Sequence, residues 1–156
     1  MYNEYLKNKK VILVGSAERL LFYNLGSYID SFDIIVRVNR AIAIKEFFNQ
    51  IGSKTNVLYH CFNPDMEEIK NESFLEIVKD IRDLKFIVPT FPNTGDYPFE
   101  HPIDKWKKLI EENTDCKMEI YKNELWLDLK NQIGTLPLGT TINFEKSAPN
   151  NKKRSV

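Results

Sequence analysis

A chain of 156 residues, 42% hydrophobic and 12% aromatic, is long enough for one domain with a single core and too short for two of ordinary size. Its 22 basic and 22 acidic side chains cancel, so there is no general basic field to hold DNA or RNA. No apolar run approaches the roughly 20 residues needed to span a bilayer. Met1 to Lys10 is polar and charged where a secretory leader would be apolar.

Val11 to Val14 reads as the first strand, a short β-branched run closed by Gly15, Ser16 and Ala17. Small residues there let the backbone turn sharply and leave amide N–H groups open to an anion. Ile34 to Val38 is a second strand, ending in Asn39. The loops at the carboxyl ends of parallel strands line the ligand crevice of an open α/β sheet, so Gly15, Ser16 and Asn39 are expected on one rim. An asparagine in that place can hydrogen-bond a ribose or a phosphate. Taken singly, each residue has a plainer use, Gly15 closing a tight turn and Asn39 capping one. Asp30 and Asp33 fall just before the second strand, where they cap or fix a turn. They lack the Asp-x-Asp spacing of a sugar-nucleotide metal site, and no cluster of His or Cys offers another ligand set.

Gly52-Ser53-Lys54-Thr55 has the composition of a phosphate loop, but it leads into a strand, Asn56 to Cys61, where a phosphate loop would lead into a helix. His60, at the end of that strand, is expected to pack or bond locally. Asn63-Pro64-Asp65 offers a cap, a proline for a first helical position and an early acidic residue. Phe74, Ile77, Val78 and Ile81 follow at helical spacing, which predicts a helix with one buried face.

Lys85 to Val88 is the next strand, ended by Pro89, and residues 89 to 102 form a loop long enough to lie over a site. His101 precedes Pro102 at a helix start, where a solvated role is expected. Ile103, Trp106, Leu109 and Ile110 form a second apolar helical stripe, Met118 to Tyr121 a short strand, and Leu125, Trp126 and Leu129 a third helical patch. Trp106 and Trp126 read as core anchors rather than sugar-stacking platforms. Residues 145 to 156, with Lys152-Lys153-Arg154 beside Pro149-Asn150-Asn151, are expected to be a disordered polar tail. The repeated strand-helix alternation over residues 1 to 144 argues for a three-layer α/β/α domain with a mainly parallel sheet.

The order of these residues carries a resemblance. Gly15-Ser16, Leu25-Gly26, Ile29-Asp30-Ser31 with Asp33, Val36-Arg37-Val38-Asn39-Arg40-Ala41 and Ile51-Gly52-Ser53-Lys54-Thr55 together resemble the large donor-binding motif of the sialyltransferases, glycosyltransferase family 29. The likeness covers about residues 10 to 62. Leu136-Pro137-Leu138-Gly139-Thr140-Thr141 is similar to the start of that family's small motif. The resemblance implies a Rossmann-like nucleotide fold in which Gly15 and Ser16 approach the donor nucleotide, Asn39 holds its ribose or phosphate, and Gly139 and Thr140 close the other side. It implies a CMP-linked sugar acid as donor, a glycan hydroxyl as acceptor, inversion at the anomeric carbon, and no metal or other cofactor.

Three departures from the pattern stand out. The family usually has Asn where this chain has Ser16, and a hydroxyl cannot supply the amide's paired donor and acceptor. Its small motif usually spaces Pro and Gly by two residues, whereas one residue separates Pro137 from Gly139. Its general base is a histidine well beyond the small motif, and neither His60 nor His101 matches that position. No catalytic residue is therefore assigned, and the rival expectation is an inactive, truncated relative that binds a nucleotide or serves as an interaction module. An NAD-dependent dehydrogenase is disfavoured because Gly15-Ser16-Ala17-Glu18 lacks the further glycines that let a pyrophosphate approach. Cys61 and Cys116 do not reproduce the animal members' disulfide, so a reducing, cytoplasmic setting is the simpler expectation. A sheet that stops near residue 144 would leave an apolar edge open to self-association.

Overall fold

The computed structural model describes residues 2–90 and 102–120. Five strands, β1 (Val11–Val14), β2 (Ile34–Val38), β3 (Val57–His60), β4 (Phe86–Pro89) and β5 (Lys117–Met118), form one sheet in the order β1-β2-β3-β4-β5. Every neighbouring pair is parallel. Between them come a 3-10 turn (Glu18–Phe22), α2 (Gly26–Asp30), α3 (Phe48–Ile51), α4 (Glu67–Lys70), α5 (Phe74–Asp80) and α6 (Ile103–Asn113), with α1 (Tyr2–Leu6) ahead of the first strand.

Parallel strands buried on both faces need apolar residues at consecutive positions, and Ile34, Ile35 and Val36 are all buried. Their side chains alternate between two packing environments. Ile35 joins Val14 and Ile29 of α2, while Leu58, Ile87 and Met118 join Phe74, Val78, Trp106 and Ile110 from α5 and α6. The opposite row, Ile34, Val36, Val57, Phe86 and Val88, packs against Tyr2 with Tyr5 and Leu6 of α1. A sheet laid down in strict chain order with crossovers of one hand must put those crossovers on one face. The result is a three-layer α/β fold, with the connecting helices on one side and α1 on the other.

The strand positions match the sequence-based expectation closely, except that the fifth strand is Lys117–Met118 rather than starting at Met118. Tyr121, the third helical patch, Trp126 and the polar tail lie outside the described residues, as does most of the 89–102 loop. The single helix expected after Asn63 is instead two. Asn63 Oδ1 accepts a hydrogen bond from the Asp65 N–H (2.9 Å), forming a local turn ahead of α4 rather than a cap on it. Glu72, at φ 58°, then breaks the chain between α4 and α5. Trp106 is the core anchor expected, 1% exposed and edge-on to Phe74 at 5.5 Å between ring centroids.

Candidate functional site

β1 and β2 pair in the register Val14 with Arg37, so the Gly15-Ser16 turn leaves the sheet beside the end of β2. Residues 15–17 are exposed. A Cβ placed on Gly15 would meet nothing within 4 Å, so no protein neighbour demands a glycine there and the turn borders open space. Asn39 follows β2 at φ 51°, a left-handed conformation that asparagine tolerates better than most residues. Its N–H donates to the Tyr59 carbonyl at 2.7 Å, and its Oδ1 accepts from the Cys61 N–H at 2.9 Å. The side chain thus ties the end of β2 to the end of β3, and its Nδ2 has no partner among the described residues. Gly15, Ser16 and Asn39 accordingly share one rim, while Gly139 and Thr140 lie outside the described residues.

Other residues of the large motif tie α2 and the segment before β3 to the sheet. Asp30, at the end of α2, accepts from the Ser53 N–H (2.9 and 3.0 Å to its two oxygens), the Ser53 hydroxyl (2.9 Å) and the Lys54 N–H (3.3 Å). Asp33 accepts from the Lys10 N–H at 2.8 Å, so both aspartates tie together segments 23 or 24 residues apart, where a local cap or turn was expected. Gly52, at φ 76°, closes α3; a Cβ there would sit 2.7 Å from Asp30 Oδ1. Arg37, fully buried within β2, donates to the carbonyls of Lys54 (3.1 Å), Ala41 (3.3 Å) and Ile51 (2.6 Å). Burial lowers its pKa to about 10, against the opposing pull of Asp30, which leaves the guanidinium charged at neutral pH. An arginine inside the run Ile34-Ile35-Val36-Arg37-Val38 was the visible signal for this staple, because a buried charge requires compensation.

His60 is no candidate base. It is 1% exposed, lies edge-on to Phe62 and is tilted over Phe74, and its Nδ1 accepts the Phe62 N–H at 3.1 Å. In the neutral ring the proton therefore sits on Nε2, which stands 3.8 Å from Glu68 Oε1, beyond hydrogen-bond range. Burial, opposed by the Glu68 charge, pushes its pKa down to about 4. Glu68 is itself buried and is gripped by Arg40, whose Nε and Nη2 donate to its two oxygens at 3.2 and 2.8 Å. Burial alone would raise the Glu68 carboxyl; the Arg40 hydrogen bonds and charge hold it below the usual range instead. Sequence reading assigned no role to Arg40 or Glu68, which are 28 positions apart. His101 lies outside the described residues.

A cavity of about 530 Å³ is lined by Asn24, Gly26, Ser27, Asp30, Ser53 and Arg82 among others, and none of Gly15, Ser16 and Asn39 lines it. Among the described residues no group of three or more His, Cys, Asp or Glu side chains is placed to hold a metal ion. No described helix is long and apolar enough to cross a membrane. Cys61 and Cys116 are both free thiols.

Two curated proteins, the CMP-N-acetylneuraminate-beta-1,4-galactoside alpha-2,3-sialyltransferases of Homo sapiens and Pan troglodytes, are each 42% identical to this chain over 52 residues. Those residues are 33% of this chain and only 14% of each relative's length. No solved structure matches significantly. The model of glycosyltransferase family 29 (sialyltransferase) matches residues 4–133, covering all five strands and the rim they support, and the chain belongs to that family.

Proposed function

We propose that this chain binds a CMP-linked sugar acid at the Gly15, Ser16 and Asn39 rim and belongs to an inverting, metal-independent transferase acting on a glycan hydroxyl. The observation that carries the reading is Asn39. Its side-chain oxygen is fixed on the Cys61 N–H at 2.9 Å, so the amide is oriented before any ligand arrives. A preorganised donor beside an open, glycine-containing turn suits a ribose or phosphate. Family membership supports the donor class, and the names of the two sialyltransferase relatives support the sugar acid and the glycan acceptor. Gly139 and Thr140 would close the far side of the donor.

A second reading, nucleotide binding without transfer, is favoured by the burial of His60, which leaves that histidine unable to take an acceptor proton. Self-association is also proposed: β1 is an outer strand of the described sheet, and Val11 and Leu13 on it are 41% and 66% exposed.

Calorimetric titration with CMP, UMP and AMP tests the donor site. CMP-selective binding that disappears in Asn39→Ala supports it, and a folded chain that binds none of the three defeats it. Incubation with CMP-N-acetylneuraminate and a galactoside then separates transfer from binding.

A further inference from the structure

The Arg40–Glu68 pair joins a buried carboxylate to an exposed guanidinium. Glu68 is 8% exposed overall, whereas the Arg40 side chain is 64% exposed. Arg40 supplies the charge that the buried carboxylate requires, while most of its own side chain stays in solvent. The pair also fixes direction. Glu68 takes Nε–H and one Nη2–H of the guanidinium, a side-on fork that leaves three of the five N–H groups uncommitted to it. Buried beside His60 and unable to swing out cheaply, the carboxylate acts as a fixed post.

Arg40 immediately follows Asn39, whose own side chain is anchored on Cys61. Parallel strands stand about 4.8 Å apart, so the ends of β1, β2 and β3 span roughly 10 Å. An extended sugar nucleotide can follow that line from the Gly15-Ser16 turn past Asn39 to Arg40. We propose that Arg40, oriented by Glu68, reads an oxyanion of the bound donor, either the phosphate of the nucleotide or the carboxylate of the sugar acid. This rests on the rim being the donor site, and it adds an anion-specific residue to that site together with its positioning residue, Glu68.

The test is calorimetry of cytidine, CMP and CMP-N-acetylneuraminate with the wild-type chain and with Arg40→Gln, Arg40→Lys, Glu68→Gln and Asn39→Ala. Arg40→Gln should weaken CMP-N-acetylneuraminate about tenfold or more while leaving cytidine unchanged. Loss for CMP and the sugar nucleotide alike identifies the phosphate, and loss for the sugar nucleotide alone identifies the carboxylate. Arg40→Lys should not restore affinity, because a single ammonium cannot grip Glu68 side-on and present further donors in a plane. Glu68→Gln should produce a smaller loss of the same selectivity. Wild-type affinity for all three ligands in Arg40→Gln, with binding abolished in Asn39→Ala, overturns the role of Arg40 and leaves the donor site standing. Failure of the folded wild-type chain to bind any of the three overturns both.

Discussion

Asp30 and Ser53 meet across the amino end of the sheet, with the Ser53 N–H and hydroxyl both directed at one carboxylate at 2.9 to 3.0 Å. The charge of the same carboxylate helps to compensate buried Arg37. Two of the most recognisable positions of the sialyltransferase motif are thus structural, while the ligand-facing candidates sit at the other end of the same strands.

Asp30→Ala should therefore destabilise the fold by about 2–3 kcal/mol, since it strips three donors of their acceptor and leaves Arg37 without its carboxylate. Urea unfolding will show this as a lower midpoint at constant slope. A change below about 0.5 kcal/mol, the range of ordinary surface substitutions, would contradict the staple.

Gly26 and Gly15 should respond oppositely to the same substitution. A Cβ on Gly26 would lie 2.0 Å from the Phe48 carbonyl oxygen, where α2 meets α3, and backbone cannot yield there cheaply. Gly26→Ala is expected to cost at least about 2 kcal/mol by forcing the two helices apart. Gly15→Ala has open space and should leave the melting temperature nearly unchanged while reducing CMP affinity. Thermal melts of both variants, with CMP titration of the second, check the pair.

Acid should weaken the protein through His60. Its folded pKa of about 4 lies below the unfolded value of 6.5, so between these the unfolded state binds the extra proton. Stability is then full above about pH 6.5 and falls as the pH drops toward 4, by up to about 3 kcal/mol. Glu68, held below the usual carboxylate range, adds loss of the same sign on further acidification. Urea curves at pH 7.5 and 4.5 should differ accordingly, and His60→Gln should flatten the difference. An unchanged pH slope in that variant would point to other groups.

The two thiols should differ in reactivity. Cys116 is 3% exposed, and burial, helped by the Glu111 charge, pushes its pKa up to about 12. Cys61 is partly exposed at the rim. Mass spectrometry after alkylation at neutral pH should find Cys61 modified first, with Cys116 reacting only when urea is added.

Much of the fold was legible because it is written in short-range patterns. The strand runs ending at Gly15, Asn39 and Pro89, and the stripe Ile103, Trp106 and Ile110, announce themselves by composition and spacing. The break between α4 and α5 does not, because Glu72 takes a left-handed conformation with no glycine to mark it. Helix α1 escaped notice because five residues are too few for periodicity, although its Tyr2 is buried against Phe86. At the rim, Gly15, Ser16 and Asn39 were legible from their places after strands. Arg40 and Glu68 were not, since only folding brings residues 28 apart into one fork.

The strict chain order of the sheet has a consequence for how the protein comes into being. Each described strand pairs with the one made just before it, so every new segment emerging from a ribosome finds its neighbour already synthesised and only its own crossover must be closed to seat it. Assembly can proceed as successive additions to a growing edge, with each increment burying the apolar stripe left bare by the last. The rim formed by the ends of the first three strands would then be in place before the later part of the polypeptide is translated.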